Sequence, residues 1–231
     1  MTEQDKLDFI SSYISKLMRK NFGRGPQSCR ATLSKKHLVV YIQGFITPME
    51  QILIQQEQYK IVDYSRTIII NNLLNEIKAI VQVSLDVEVA EHYHDWNFPN
   101  NSGILIFVLE DVAGQNVETQ IDIQKLELEI GRISLLVQKV PDEMQTYPIS
   151  PTIFLVERKG IFIQIEKALI EKGFQQELKF TKDQLEKTYF HRDGRFEDIF
   201  NTPVKDIFLD WNFTDDKGLI IFTLENKSLG K

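Results

Sequence analysis

The run Asn21-Phe22-Gly23-Arg24-Gly25-Pro26 sets an arginine between two glycines and closes on a proline. Glycine tolerates the backbone conformations that a tight turn demands, and the N–H groups of such a turn can converge on one anion. Arg24 adds a planar fork of donors matched to phosphate or carboxylate oxygens. Lys20, Arg30 and, at the start of a later helical stretch, Arg66 are the cations that would complete an anion site with Gly23, Arg24 and Gly25. The competing reading is structural, a glycine ending a helix among solvated basic side chains. A Walker-type phosphate loop is excluded, because the length is wrong and no Lys-Ser/Thr pair follows.

Histidines offer a second chemistry. His92 and His94 flank Tyr93, and residues two apart on a strand share a face. With a third ligand such as His37 they would bind a metal; two imidazoles alone seldom do, so they are weak metal candidates and equally a pH-responsive pair. No nucleophile elbow, paired catalytic carboxylates or Cys-His signature stands out. His191-Arg192-Asp193-Gly194-Arg195 reads as a polar loop. No catalytic residue, cofactor or metal is therefore assigned.

Composition narrows the classes. Of the 231 residues, 42% are hydrophobic and 26% charged, as in globular proteins, and Cys29 is the only cysteine, which excludes an intrachain disulfide framework. No apolar run reaches the roughly 18 residues of a membrane span, and the N-terminus lacks the apolar core of a signal peptide. A cytoplasmic location is the expectation. The net charge of −6 argues against nucleic acid as a partner. That average conceals a stretch without acids: between Asp8 and Glu50 stand Lys16, Arg19, Lys20, Arg24, Arg30, Lys35 and Lys36.

The elements that position these residues come in two copies. Asp95-Trp96-Asn97-Phe98 followed by Gly103-Ile104-Leu105-Ile106-Phe107 returns as Asp210-Trp211-Asn212-Phe213 followed by Gly218-Leu219-Ile220-Ile221-Phe222, 115 residues on. Upstream, Leu38–Gly44 parallels Phe154–Gly160, and Met49–Leu53 parallels Ile165–Leu169. Apolar spacing predicts amphipathic helices over 5–22, 61–83 and 119–139. Strands are expected at 27–33 and 37–44, and a closing hairpin at 86–97 and 103–110. Thr47-Pro48-Met49-Glu50 reads as a helix start with a capping box. Trp96 is read as a core anchor. The expected fold is α+β: two tandem α-β-β-α-α-β-β repeats, 1–112 and 117–231, joined by a linker at 113–116. Each would form an antiparallel or mixed sheet with helices on one face.

The copies diverge at the glycine turn. Where the first has Gly-Arg-Gly, the second reads Lys139-Val140-Pro141-Asp142-Glu143, with two acids and no glycine. Arg66 is matched only by Lys182. Gly23-Arg24-Gly25-Pro26, then Gly44-Phe45-Ile46-Thr47-Pro48-Met49-Glu50 and the Arg66 helix, resembles the MpsC-like family over residues 5–110. The resemblance implies an accessory role beside a sodium-translocating, membrane-potential-generating system, with no catalytic residue to carry over. The expectation is a non-catalytic cytoplasmic accessory or regulatory protein whose first repeat binds an anionic small molecule or an acidic partner, such as the surface of a membrane transport complex. The alternative is an enzyme for a small phosphorylated or carboxylated metabolite, with Arg24 orienting substrate and His92 or His94 moving protons. Assembly is expected as a monomer with an internal pseudo-twofold, or as a homodimer.

Overall fold

A computed structural model describes residues 1–225 and divides the chain into two compact units, Met1–Asn116 and Val117–Lys231. In the first unit the order is α1 (Glu3–Phe22), β1 (Ser28–Ser34), β2 (His37–Gln43), α2 (Pro48–Gln55), α3 (Tyr59–Leu85), β3 (Val89–Asn97) and β4 (Ser102–Leu109). Thr2 caps α1 by accepting from the Asp5 N–H, while the Asp5 carboxylate accepts from the Thr2 N–H, so two orphan donors are satisfied reciprocally. Leu7, Ile10, Ile14, Leu17 and Met18 recur every three or four residues and are buried. Each such side chain contributes about 1.5–3 kcal/mol of transfer free energy.

The four strands form one fully antiparallel sheet in the order β1-β2-β4-β3. Val40 and Ile42 on β2, Leu105 and Phe107 on β4 and Trp96 on β3 share one core with α1 and α3. The tryptophan is a core anchor.

The second unit repeats the plan: α4 (Ile123–Val137), β5 (Glu143–Ser150), β6 (Ile153–Lys159), α5 (Gln164–Glu171), α6 (Gln175–Asp193), α7 (Phe196–Phe200), β7 (Val204–Asn212) and β8 (Lys217–Leu224). Its sheet order, β5-β6-β8-β7, is the same. Even the register shift recurs, between Val89 and Glu91 in one sheet and between Val204 and Asp206 in the other. The expectation of two similar halves holds.

Two elements depart from the sequence reading. The stretch 191–195 is no loop at its start, since α6 runs through Asp193. A short α7 then follows, because Phe196 folds back into the core and stacks on Phe190 with ring centroids 5.8 Å apart. The second departure is α3. By length and composition its 27 residues suffice to cross a membrane, and a third of its most apolar window is buried. Asn71, Asn72 and Asn75 break up every long apolar run without lowering the mean hydropathy enough to disqualify it.

The hairpin glycines give the first prediction. A methyl on Gly103 would overlap the six-membered ring of Trp96, with Cζ3 at 2.5 Å and Cε3 nearer still, whereas at Gly218 the nearest atoms are the Ile161 Cδ1 methyl and Cδ1 of the Trp211 ring, both 2.9 Å away. Gly103→Ala is therefore expected to cost about 1–3 kcal/mol in urea unfolding and Gly218→Ala less. Equal costs would contradict the stated packing.

Candidate functional site

Gly23 ends α1 in the left-handed conformation, φ 74°, with no heavy atom near its missing side chain. The glycine is there for the backbone angle, which L-residues adopt only at a cost. Arg19 lies over Gly25, and Pro26 is buried behind the turn. Arg19, Lys20, Arg24 and Arg30 are exposed. Lys20 and Arg19 occupy the last turn of α1, where the helix dipole favours cations. Arg24 reaches across to donate from Nη1 to the Ile46 carbonyl, at 3.2 Å. One donor of its fork is thereby engaged, fixing the guanidinium beside the loop that leads into α2.

Arg66, expected in the same group, points the other way. It is fully buried. Its Nε sits 2.7 Å from Glu50 Oε1, and Nη2 donates to Glu50 Oε2 at 2.8 Å and to the Phe45 carbonyl at 3.2 Å. The rings of Phe22, Phe45 and Trp96 surround its Cζ at 4.5, 4.1 and 4.9 Å. Burial pushes the guanidinium below its ordinary value, and the hydrogen bond and charge of Glu50 work against that shift. An arginine so enclosed has no access to a soluble anion.

What Arg66 does instead is hold the loop Gly44–Thr47 from inside, while Arg24 holds it from outside. Asn101 completes the clamp, its Oδ1 accepting from the N–H groups of Phe45 and Ile46 at 2.8 and 2.9 Å. Glu50 serves two purposes, since the oxygen that meets Arg66 also accepts from the Thr47 N–H at 2.8 Å and caps α2.

The second unit builds the same clamp from different residues. Lys182 Nζ lies 3.0 Å from Glu166 and donates to Gln138 Oε1 at 2.6 Å. Gln138 Nε2 in turn donates to the Ile161 carbonyl at 2.9 Å. Asp216 accepts from the Ile161 and Phe162 N–H groups, as Asn101 does in the first unit. One arginine fork is thus divided between a lysine and a glutamine. Lys182 also meets Glu186 at 2.8 Å, and Glu186 pairs with the buried Arg158 at 2.9 Å. Burial pushes the Glu186 carboxyl up, but Arg158 and Lys182 together hold it below the usual range. Asp216 is likewise lowered: burial opposes, and Lys167 with the two backbone N–H groups prevails.

The histidines do not converge. His92 and His94 pair across the sheet with Phe107 and Leu105, residues of the helix-side core. His37 pairs with Val108, next along β4 from Phe107 and therefore on the opposite face. The third ligand is ruled out by register. Among the described residues no group of three or more His, Cys, Asp or Glu side chains is placed to hold a metal. Burial pushes the Cys29 thiol up to about 12, so it is not a thiolate nucleophile at neutral pH.

Sequence reasoning missed the clamp, although a signal existed. Glu50 and Arg66 stand 16 residues apart, and so do Glu166 and Lys182.

Breaking a buried pair strands a charge, so Arg66→Ala is expected to cost about 3–5 kcal/mol in urea unfolding. Arg24→Ala, exposed, should stay within about 1 kcal/mol. The acid response follows from sign. Glu186 and Asp216 have lowered folded-state pKa values, so their stabilisation is complete above the ordinary carboxylate range and fades as pH falls through the depressed values. Glu186→Gln should lower stability at pH 7 and flatten its decline between about pH 5 and 3. An unchanged slope would remove Glu186 from the acid transition.

Residues 2–111 match the family model described as Na+-translocating membrane potential-generating system (MpsC). No significant match to a curated protein or to a solved structure exists for the chain.

Proposed function

With its first unit matched to the MpsC family, we propose that this chain is a non-catalytic cytoplasmic accessory or regulatory protein associated with a membrane ion-transport system, and that its first unit binds an anionic ligand or acidic partner. The observation that carries the reading is the exposed group Arg19, Lys20 and Arg24 at the end of α1. Arg30 is exposed on the edge strand β1, on the sheet face away from α1, because Cys29 and Ala31 beside it face the core. No carboxylate lies in the chain between Asp8 and Glu50, and Glu50 is itself neutralised by Arg66. Arg24 keeps donors to spare after its bond to Ile46. At the corresponding end of α4, Lys139 is paired with Asp142 at 2.9 Å, so the second unit has no comparable unopposed charge there. Arg66 belongs to the frame beneath this surface and is left out of the proposed contact set, which is Lys20, Gly23, Arg24, Gly25 and Arg30.

The enzymatic alternative required a histidine working beside Arg24. His94 is buried beside Trp96 in the core, ring centroids 6.5 Å apart, and His92 is half-buried on the same face of β3, while Arg24 is at the surface at the end of α1. That arrangement favours binding over proton transfer.

Thermal-shift measurements with inorganic phosphate, citrate and an acidic peptide test the proposal. A ligand at 100 times its dissociation constant adds about 2.7 kcal/mol to stability. Arg24→Ala with Arg30→Ala is expected to abolish the response of whichever probe binds, while the melting temperature without ligand stays near the parent's. If the double variant keeps every response of the parent, the contact set is wrong.

A further inference from the structure

Beyond the anion site, we infer that α2 and the first turns of α3 form a surface that lies on an anionic lipid bilayer without crossing it. On α3, Val62, Arg66 and Ile70 face the core, and Ile61, Tyr64 and Ile68 point the opposite way, 49%, 48% and 45% exposed. On α2 the only buried residue is Glu50, and Met49 and Ile52 stand out at 70% and 61% exposure. The Glu50–Arg66 bridge fixes α2 against α3, and the inferred surface takes in the outward residues of both helices. Such side chains in water are unusual for a helix that already has a packed core face.

Charge selects the occupant. Arg24, bonded to the Ile46 carbonyl one residue before the α2 cap, stands at the foot of this surface. Arg19 and Lys20 are exposed beside it, and Lys60 is exposed at the start of α3. Apolar residues with an amphipathic tyrosine, flanked by cations, fit the boundary between headgroups and acyl chains of an acidic membrane. Spanning is excluded by the opposite face of α3, where Arg66 and seven apolar residues are buried in the unit's own core. The second unit shares the property only in part: Ile165, matching Met49, is 62% exposed, but the positions matching Ile52, Ile61 and Ile68 are Ala168, Glu177 and Gln184.

Flotation of the full chain with vesicles tests the inference. Binding is expected to phosphatidylglycerol/phosphatidylcholine vesicles and not to pure phosphatidylcholine, with release at high salt. Ile61→Ser with Ile68→Ser, and separately Met49→Ser with Ile52→Ser, should each lower the bound fraction about tenfold while circular dichroism stays unchanged. These variants should keep the parent's thermal response to soluble anions. Absence of flotation with acidic vesicles, or flotation indifferent to the serines, overturns the bilayer surface and leaves the Arg24 site standing. An anion response unchanged in the Arg24 and Arg30 variant, with serine-sensitive flotation to acidic vesicles, overturns the Arg24 site and leaves the bilayer surface standing. Flotation that depends on the serines but not on lipid charge also overturns it.

Discussion

A buried cation facing the capping carboxylate of a short helix organises each half of this molecule. In the first unit Arg66 and Glu50 are that pair, in the second Lys182 and Glu166. Neither carboxylate is spare, because each also accepts from the backbone N–H that opens its helix. The pair therefore couples three things: the start of the short helix, its packing against the long one, and the loop entering it. Two charges taken out of water cost several kcal/mol each, and their attraction offsets that only when the remaining donors and acceptors are filled. The filling is visible here in the Phe45 carbonyl and three aromatic faces around Arg66. Around Lys182 it is visible in Gln138 and Glu186.

The two solutions to one constraint explain why the copies look less alike in sequence than in structure. A guanidinium reaches both the carboxylate and the loop carbonyl. A primary amine has one nitrogen, so a glutamine from the end of α4 must take over the carbonyl. The second unit also places Arg158 and Glu186 where the first has Ile42 and Ile70, all four nearly or fully buried. The first unit shows that this space can be filled with apolar side chains alone. The extra pair is consequently a weak stabiliser at best, and its presence ties the acid sensitivity of the second unit to residues that the first does without.

Much of the frame was legible in the sequence. The start of α2 was readable from Thr47 and Glu50 three residues apart, strands where apolar residues run together, and the doubling from the hairpin motif and the segments upstream of it. Charges were not readable in the same way. Arg66 and Arg24 are both arginines near apolar helices, and only three-dimensional packing turns one inward and leaves the other at the surface. The spacing of 16 residues between carboxylate and cation, repeated in both halves, is the clue that periodicity arguments passed over. His37 was misplaced for a different reason. Which face a strand residue occupies depends on its register with β4, and a shift of one position reverses the answer.

The helix α3 shows how frame and surface separate. Its inner stripe obeys the same constraint as that of α6, a buried cation held by the capping carboxylate of the short helix before it, although α6 buries Glu186 where α3 buries Ile70. Its outer stripe is under no such constraint, and there the copies part, with isoleucines on one and polar side chains on the other. Outward apolar side chains such as Ile61 and Ile68, about half exposed, gain less in folding than core residues do. The inferred bilayer surface rests on their occurring together beside cations. The exposed cations at the end of α1 and the glycine turn occur in the same unit, whereas the end of α4 carries the Lys139–Asp142 pair, so the two units share a scaffold and differ in the surface built on it.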